Sequence, residues 1–312
     1  MEYGFNGSTP NKGNYTSTKV LPSFKRNFPE VEDGVRIDPT ARLVKYGDKL
    51  FNEKNFVYAD STFFDIFSFK LLKGNASQVL KAPKMVVLSA TAAKKYFGNE
   101  DPVGKSLLIG SMQDAYLVTG VAEDCPSNSQ IKFDFLASFS SYGTAQEETY
   151  FNANYTTYLL LKQPSSIASM QGKILPFMQR ELSEQPGVYI NYELEPLKKI
   201  HLYSSYDAIV PNSNIMYVYI IAGVALLVLI IACFTYINLS TARSVERARE
   251  VGVRKVSGAY RMQIFWQFIC ESLIIVTVSM LISICFAYFL LPAFNQLADT
   301  QLLFKNIAQP NV

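Results

Sequence analysis

Two runs without a charged side chain, Ile215 to Ile237 and Leu273 to Leu291, leave this chain few choices of fold. At about 1.5 Å of rise per residue, helices of those lengths reach roughly 35 and 28 Å, which matches a hydrocarbon layer of about 30 Å. A soluble helix as long normally keeps one polar face for water, and these keep none. They read as membrane spans.

Orientation follows from the residues between them. Asn238 to Ser272 carries Arg243, Arg247, Arg249, Arg254, Lys255 and Arg261 against Glu246, Glu250 and Glu271. Residues 1 to 214 hold 22 basic and 22 acidic side chains, and only Asp299 and Lys305 follow Leu291, so this loop carries the whole formal charge of +3. The positive-inside rule puts it in the cytoplasm. The N-terminal region and the C-terminal tail then lie outside the cytoplasmic membrane, with Tyr217, Tyr219 and Tyr288 near the outer edges of the spans.

About 210 residues precede the first span, enough to bury a core without staples. Cys233, Cys270 and Cys285 lie in or beside the spans, which leaves Cys125 alone outside and excludes an ectodomain disulfide within one chain. Met1 opens into polar sequence with no charged segment, apolar segment or cleavage site of a signal peptide. A folded domain placed there needs a signal to start its export, so the sequence predicts a transmembrane helix upstream of this chain.

The ectodomain reads as α+β. Strands are expected at Met85–Leu88, Tyr116–Val121, Thr156–Leu161 and Val188–Leu194, which are rich in β-branched and aromatic residues and bounded by Gly, Pro, Asp or Asn. A helix fits Ala90–Phe97, capped by Ser89 and stopped by Gly98, and a second fits Ile167–Leu182, where Pro176 should kink or restart it. The elements follow no regular repeat.

Catalytic chemistry finds little purchase. Gly98 to Ser106 resembles a phosphate-binding loop, but it has five residues between its glycines instead of four, follows a helix and runs into the extended Leu107-Leu108-Ile109. It reads as a helix stop and an Asp-Pro turn, so ATP is not expected there. His201 is the single histidine, no Cys pair has ligand spacing, and no metal or other cofactor is expected. Glu193 and Glu195, two apart on an expected strand, share a face that points toward water more readily than toward substrate. Balanced charge outside the membrane argues against nucleic acid.

The cytoplasmic loop is more specific. From Ser240 a helix continues the first span, and Arg243, Arg247, Glu250 and Arg254 form one polar stripe in which Glu250 is placed to pair with both Arg247 and Arg254. Val245, Ala248, Val251 and Val256 offer a less polar side. Gly258 breaks the segment, and Met262, Phe265, Trp266 and Ile269 lead into the second span. Two readings fit the composition: an interfacial helix that extends its arginines toward lipid phosphates, and a docking surface for a cytoplasmic partner.

Tyr236-Ile237-Asn238-Leu239-Ser240-Thr241-Ala242-Arg243-Ser244-Val245-Glu246-Arg247-Ala248-Arg249-Glu250-Val251-Gly252-Val253-Arg254-Lys255-Val256-Ser257-Gly258-Ala259, followed by Gln267-Phe268-Ile269-Cys270-Glu271-Ser272, resembles the signature of FtsX-like permeases of the MacB type. Phe63-Phe64-Asp65-Ile66-Phe67-Ser68-Phe69, Val86-Val87-Leu88-Ser89, Lys95-Tyr96-Phe97-Gly98 with Asp101-Pro102-Val103-Gly104-Lys105, Val118-Thr119-Gly120-Val121, and Pro196-Leu197 with Ile200-His201-Leu202 are similar to the periplasmic core domain of these permeases, especially as they occur in Bacteroidetes.

The resemblance implies an α+β extracytoplasmic domain followed by two transmembrane helices joined by a cytoplasmic amphipathic coupling helix. The domains implied are a periplasmic core over residues 1–214, N-terminally incomplete, a transmembrane region over 215–291 with its loop at 238–272, and an extracytoplasmic tail over 292–312 leading to a further span that this chain lacks. Such a chain is a non-catalytic, multi-pass subunit of an ABC transporter in the bacterial inner membrane, and it transmits force from a cytoplasmic ABC ATPase to the periplasmic domain. Carried over by position, Arg243, Arg247, Arg249, Glu250, Gly252, Arg254, Lys255, Gly258 and Ala259 form the transmitting helix and elbow. Ser279, Ser283 and Ala287, four apart, let a neighbouring helix approach closely. Partners expected are the ATPase, a second permease copy or half, membrane lipid, and a periplasmic adaptor or cell-wall hydrolase. Three functions fit: export or extraction of a drug, peptide or lipoprotein, activation of a cell-wall hydrolase, and an inactive membrane-anchored fragment.

Overall fold

The computed structural model describes residues 1–298 apart from 6, 127–128, 147, 205 and 207–211, together with 302 and 304. The chain divides into two units, Met1–Ile215 and Met216–Val312. The first unit, the head, begins with short strands β1 (Glu2–Phe5), β2 (Asn11–Lys12) and β3 (Thr16–Ser17) and helix α1 (Val20–Asn27). A long hairpin follows, β4 (Val31–Tyr46) and β5 (Lys49–Ala59), turning through Asp48 and Gly47, whose φ of +57° suits a two-residue hairpin loop. Then come α2 (Phe63–Ile66), β6 (Leu71–Lys73), β7 (Met85–Ser89), α3 (Ala90–Phe97), β8 (Ser106–Ile109), β9 (Asp114–Ala122), β10 (Phe135–Ser138), β11 (Ala153–Leu161), α4 (Ser166–Glu181), β12 (Val188–Asn191) and α5 (Leu197–Tyr203).

One sheet runs in the order β3-β11-β4-β5-β10-β7-β9-β6, with β8 joining β4 and β9, and a smaller sheet runs β12-β1-β2. Pairing is antiparallel except for β5 with β10 and β7 with β9. The expected α+β class therefore holds. Three of the four expected strands are present near their expected bounds, and the fourth is shorter. Its ladder on β1 ends at Asn191, opposite Glu2, and beyond it the Tyr192 carbonyl accepts from Gln171 Nε2 at 3.0 Å and the Leu194 amide donates to Gln171 Oε1 at 2.7 Å, so α4 takes the bonds a strand would have used.

The two expected helices also form. The Ser89 hydroxyl accepts the Ala92 amide at 3.1 Å and Gly98 leaves α3 at φ +64°, so each end is closed by the residue expected to close it. We expect Ser89→Ala to cost about 1 kcal/mol of head stability, read as a shift of the urea midpoint with unchanged slope. In α4, Pro176 removes one backbone hydrogen bond without ending the helix, since Met170, Ile174, Phe177 and Met178 bury one face on both sides of it.

The hairpin of β4 and β5 escapes sequence reading because β4 contains Gly34 and Pro39, both strand breakers. Each has a reason to be there. A Cβ on Gly34 would stand 2.2 Å from Leu21 Cδ1 and 2.8 Å from the Tyr158 carbonyl, so the glycine lets α1 lie against the strand. Pro39 lies past the end of β11, whose ladder on β4 covers Val31 to Ile37, and its missing N–H deprives no neighbour on that side.

Three buried clusters hold the head together. One lies under α3 around Phe56, Tyr96 and Phe135, one between α1 and α4 around Phe24, Phe28 and Phe177, and one around Phe63. Arg36, 14% exposed, donates through Nη2 to Asp60 Oδ1 at 2.7 Å and through Nε to Oδ2 at 2.9 Å, while its guanidinium lies 4.3 Å from the Phe139 ring centre. A half-buried pair with two parallel bonds is specific in geometry, and it pins β4 beside the loop that enters α2.

The second unit is helical: α6 (Ile215–Ala242), α7 (Ser244–Val256) and α8 (Arg261–Ala298). The helix of the second span runs through Pro292 to Ala298, so the boundary expected at Leu291 is not a helix end. Leu290, Leu291, Ala293 and Phe294 continue the apolar sequence across the proline, and one missing N–H is tolerable in such a helix. Most of the expected tail beyond Ala298, including Asp299 and Lys305, lies outside the described residues.

Candidate functional site

The segment joining the two long helices is built by local rules. The helix expected to continue unbroken from the first span is interrupted at Arg243, which separates α6 from α7 with φ −79° and ψ −9°. The interruption is slight. The Arg243 amide donates to the Leu239 carbonyl at 3.1 Å and the Arg247 amide donates to the Arg243 carbonyl at 3.1 Å. The residue at the N-cap, Arg243, makes no side-chain hydrogen bond to the first turn of α7, and the backbone bonds run across the joint.

At the far end the stop is firm. Gly258 takes φ +93°, its amide donates to the Lys255 carbonyl at 3.1 Å, and the Ala259 amide donates to the Arg254 carbonyl at 3.0 Å. This pair of bonds is the helix ending that a left-handed residue makes possible, and glycine takes that conformation without steric penalty. Arg254 and Lys255 in the last turn put positive charge where the helix dipole favours it. One residue on, the Tyr260 amide donates to Gln263 Oε1 at 3.2 Å, closing the start of α8.

Between these ends α7 folds back on α8. Arg247 Nη2 donates to Glu271 Oε1 at 3.1 Å, and its guanidinium lies 5.1 Å from the Phe268 ring centre. Arg254 donates to Gln267 through Nη1 and to Glu250 Oε1 through Nη2 at 2.5 Å. The pairing expected for Glu250 is thus half realised: it holds Arg254, while Arg247 is drawn to a carboxylate and a ring on the facing helix. Tyr236 on α6 and Ser272 on α8 share a hydroxyl hydrogen bond of 3.2 Å, and Ile264 is 7% exposed. The polar stripe therefore faces inward. Its two half-buried arginines, Arg247 and Arg254, share that face with half-buried Val251, which the sequence placed on the opposite side, while Arg243 and Glu250 of the stripe stay exposed.

The opposite face of α7 is Val245, Arg249, Gly252 and Val256, one turn apart, with Val245 77% and Val256 91% exposed. Arg243 sits at the joint, and Lys255, also exposed, stands at the end. Ser279, Ser283 and Ala287 lie along α8, exposed in this chain, and form a strip without large side chains. Sequence reasoning missed Phe268 and Gln267 as partners of the arginines. Their signal was present as spacing from Glu271, three and four residues back on one face.

The other sequence candidates resolve into structure. In the loop from Gly98 to Ser106 the Gly104 amide donates to the Val118 carbonyl at 2.8 Å, the Lys105 amide donates to the Pro102 carbonyl at 3.1 Å, and Lys105 pairs with Glu100. Amides used in this way are not available to cradle a phosphate, and the segment enters β8 instead of a helix. His201 Nδ1 meets Gln130 Nε2 at 3.0 Å on the surface. Glu193 and Glu195 lie beyond the end of β12, so the strand alternation expected of them does not apply. Among the described residues no group of His, Cys, Asp or Glu is arranged to hold a metal.

Comparison with known proteins adds to this geometry. Residues 3–176 match the family model for the MacB-like periplasmic core domain, and residues 212–312 match that for the FtsX-like permease C-terminal region. The chain is 26% identical over 244 residues to the macrolide export ATP-binding/permease protein MacB of Aggregatibacter actinomycetemcomitans, covering 75% of this chain and 35% of that one. It is 25% identical over 206 residues to the protein of the same name from Hahella chejuensis, covering 62% and 28%. The chain thus spans about a third of the length of these relatives. A permease-protein domain from Porphyromonas gingivalis shares the fold of the head with a TM-score of 0.51 and 24% identity, over 62% of this chain and 90% of that one.

Proposed function

This chain belongs to the FtsX-like permeases that carry a MacB-like periplasmic core domain, and from that premise we propose that it couples ATP hydrolysis by a cytoplasmic ABC ATPase to movement of a periplasmic head. The subunit itself supplies no catalytic group. In this reading α6 and α8 cross the inner membrane, α7 lies on the cytoplasmic side, and residues 1–214 form the periplasmic part. The cargo is a drug, a peptide or a lipoprotein, expelled or extracted on the outer side. A second copy or half of the permease packs against the strip at Ser279, Ser283 and Ala287.

The observation that carries the reading is the attachment of α7 to α8 through Arg247, Phe268, Glu271, Arg254 and Gln267. A helix fastened at its inner face to a span passes displacement to that span instead of moving alone. Its outer residues Arg249, Gly252 and Lys255, with Arg243 at the joint and Gly258 and Ala259 at the elbow, remain to meet the ATPase. Charged side chains on such a surface set register and partner choice more than raw affinity.

Cysteine labelling tests the topology. In a chain with Cys125, Cys233, Cys270 and Cys285 replaced by Ser, Ser257→Cys is expected to react with a membrane-impermeant maleimide only after the inner membrane is opened. Full labelling in intact spheroplasts sinks the proposed orientation.

A further inference from the structure

The head contains a cavity of about 490 Å³, within the usual range for small-molecule sites. It is lined by residues of β11, by Val20 and Phe24 of α1, by Gly13 to Thr16, and by Tyr192 to Leu197 with Ile200, Ser204 and Tyr206, a set that includes part of α5. Leu159, Ile167 and Ile200 give it aliphatic walls. Aromatic side chains line it on several sides: Tyr15, Phe24, Phe67, Tyr158, Tyr192 and Tyr206.

Its charged lining is sparse and leans negative. The carboxylates of Glu193 and Glu195 stand at the rim, both residues exposed, and the Tyr206 hydroxyl donates to Glu193 Oε2 at 2.8 Å. No Lys, Arg or His side chain is among the described lining residues.

Apolar walls, ring faces and rim carboxylates select by chemistry. An anion meets repulsion at the rim, and a strongly hydrated small cation gains nothing from the walls. An organic cation with diffuse charge gains from burial, from the ring faces and from the carboxylates together. We propose that this cavity is a binding site for a lipophilic monocation, with its organic body between β11, α1 and α5 and its charge toward Glu193 and Glu195. The site uses no residue of α7, so its failure and the failure of the coupling reading are separate results.

The test is equilibrium dialysis of radiolabelled tetraphenylphosphonium against the full chain in phosphatidylcholine nanodiscs, with uptake by empty nanodiscs subtracted and no ATP present. One saturable site per chain is expected. Glu193→Gln with Glu195→Gln, both exposed and the first still able to accept from Tyr206, should weaken it by about fivefold, in keeping with exposed charge contacts. Ile200→Trp, which fills the cavity, should abolish it. Three results each overturn the proposal: no saturable uptake above empty nanodiscs, unchanged affinity in the double Gln variant, or full binding by Ile200→Trp.

Discussion

Reversing Arg247 to Glu is expected to uncouple the assembled transporter, and adding Glu271→Arg to the same chain is expected to restore most of the loss. The single change replaces an attraction across the helix pair by repulsion between carboxylates and removes the contact with the Phe268 ring. An exposed pair is worth only about 0.2–1 kcal/mol, so reversal shifts the balance between attached and detached α7 by about 1–2 kcal/mol, or roughly five- to thirtyfold in population. Reversing both Arg247 and Arg254 removes the attachment at two points and should abolish stimulation of the ATPase while leaving membrane insertion intact. The measurements are ATP hydrolysis by the ATPase with and without the permease variant, and co-purification of the two. Undiminished stimulation by the double reversal sinks the coupling role. Failure of the charge swap to rescue Arg247→Glu shows instead that this arginine meets the ATPase directly.

A change in the head gives the largest expected loss of stability. Phe63 opens α2, is fully buried, and meets Phe64, Phe67, Phe69 and Phe133 with ring centres 5.2 to 5.7 Å away. Its neighbours come from α2, from the loop that follows and from the segment before β10, so truncation leaves a space that no single side chain can refill. Phe63→Ala should cost about 3–5 kcal/mol, against about 1 kcal/mol for the cap at Ser89. Urea unfolding of the full chain followed by far-ultraviolet circular dichroism measures both, with the helical unit as an unchanged background. A loss below that of Ser89→Ala would mean that the ring cluster repacks around the gap.

The two long apolar helices and α3 were legible in the sequence because each rests on local rules. An uncharged run of sufficient length, a serine cap and a glycine stop act within a few residues of where they stand. The hairpin of β4 and β5 was illegible for the opposite reason. Gly34 and Pro39 look like turn residues, and only Leu21, Tyr158 and the end of β11, all distant in sequence, explain them. The same division runs through the candidate site. The elbow at Gly258 was readable as a break, whereas the direction of the polar stripe was not. Its charges suited a partner surface or lipid equally, and the facing helix at Phe268 and Glu271 decides which way Arg247 turns. The cavity in the head had no sequence signal, since its lining comes from segments scattered between Met1 and Tyr206.

The interruption at Arg243 turns a rod into a crank. With 13 residues and about 1.5 Å of rise each, α7 is an arm of about 20 Å. A bend of about 10° at its root therefore carries the tip at Val256 through about 3 Å, half the pitch of a helical turn. Because the amides of Arg243 and Arg247 keep their carbonyl partners across the joint, such a bend requires no melted backbone and suits the repeated stroke that the proposed coupling calls for.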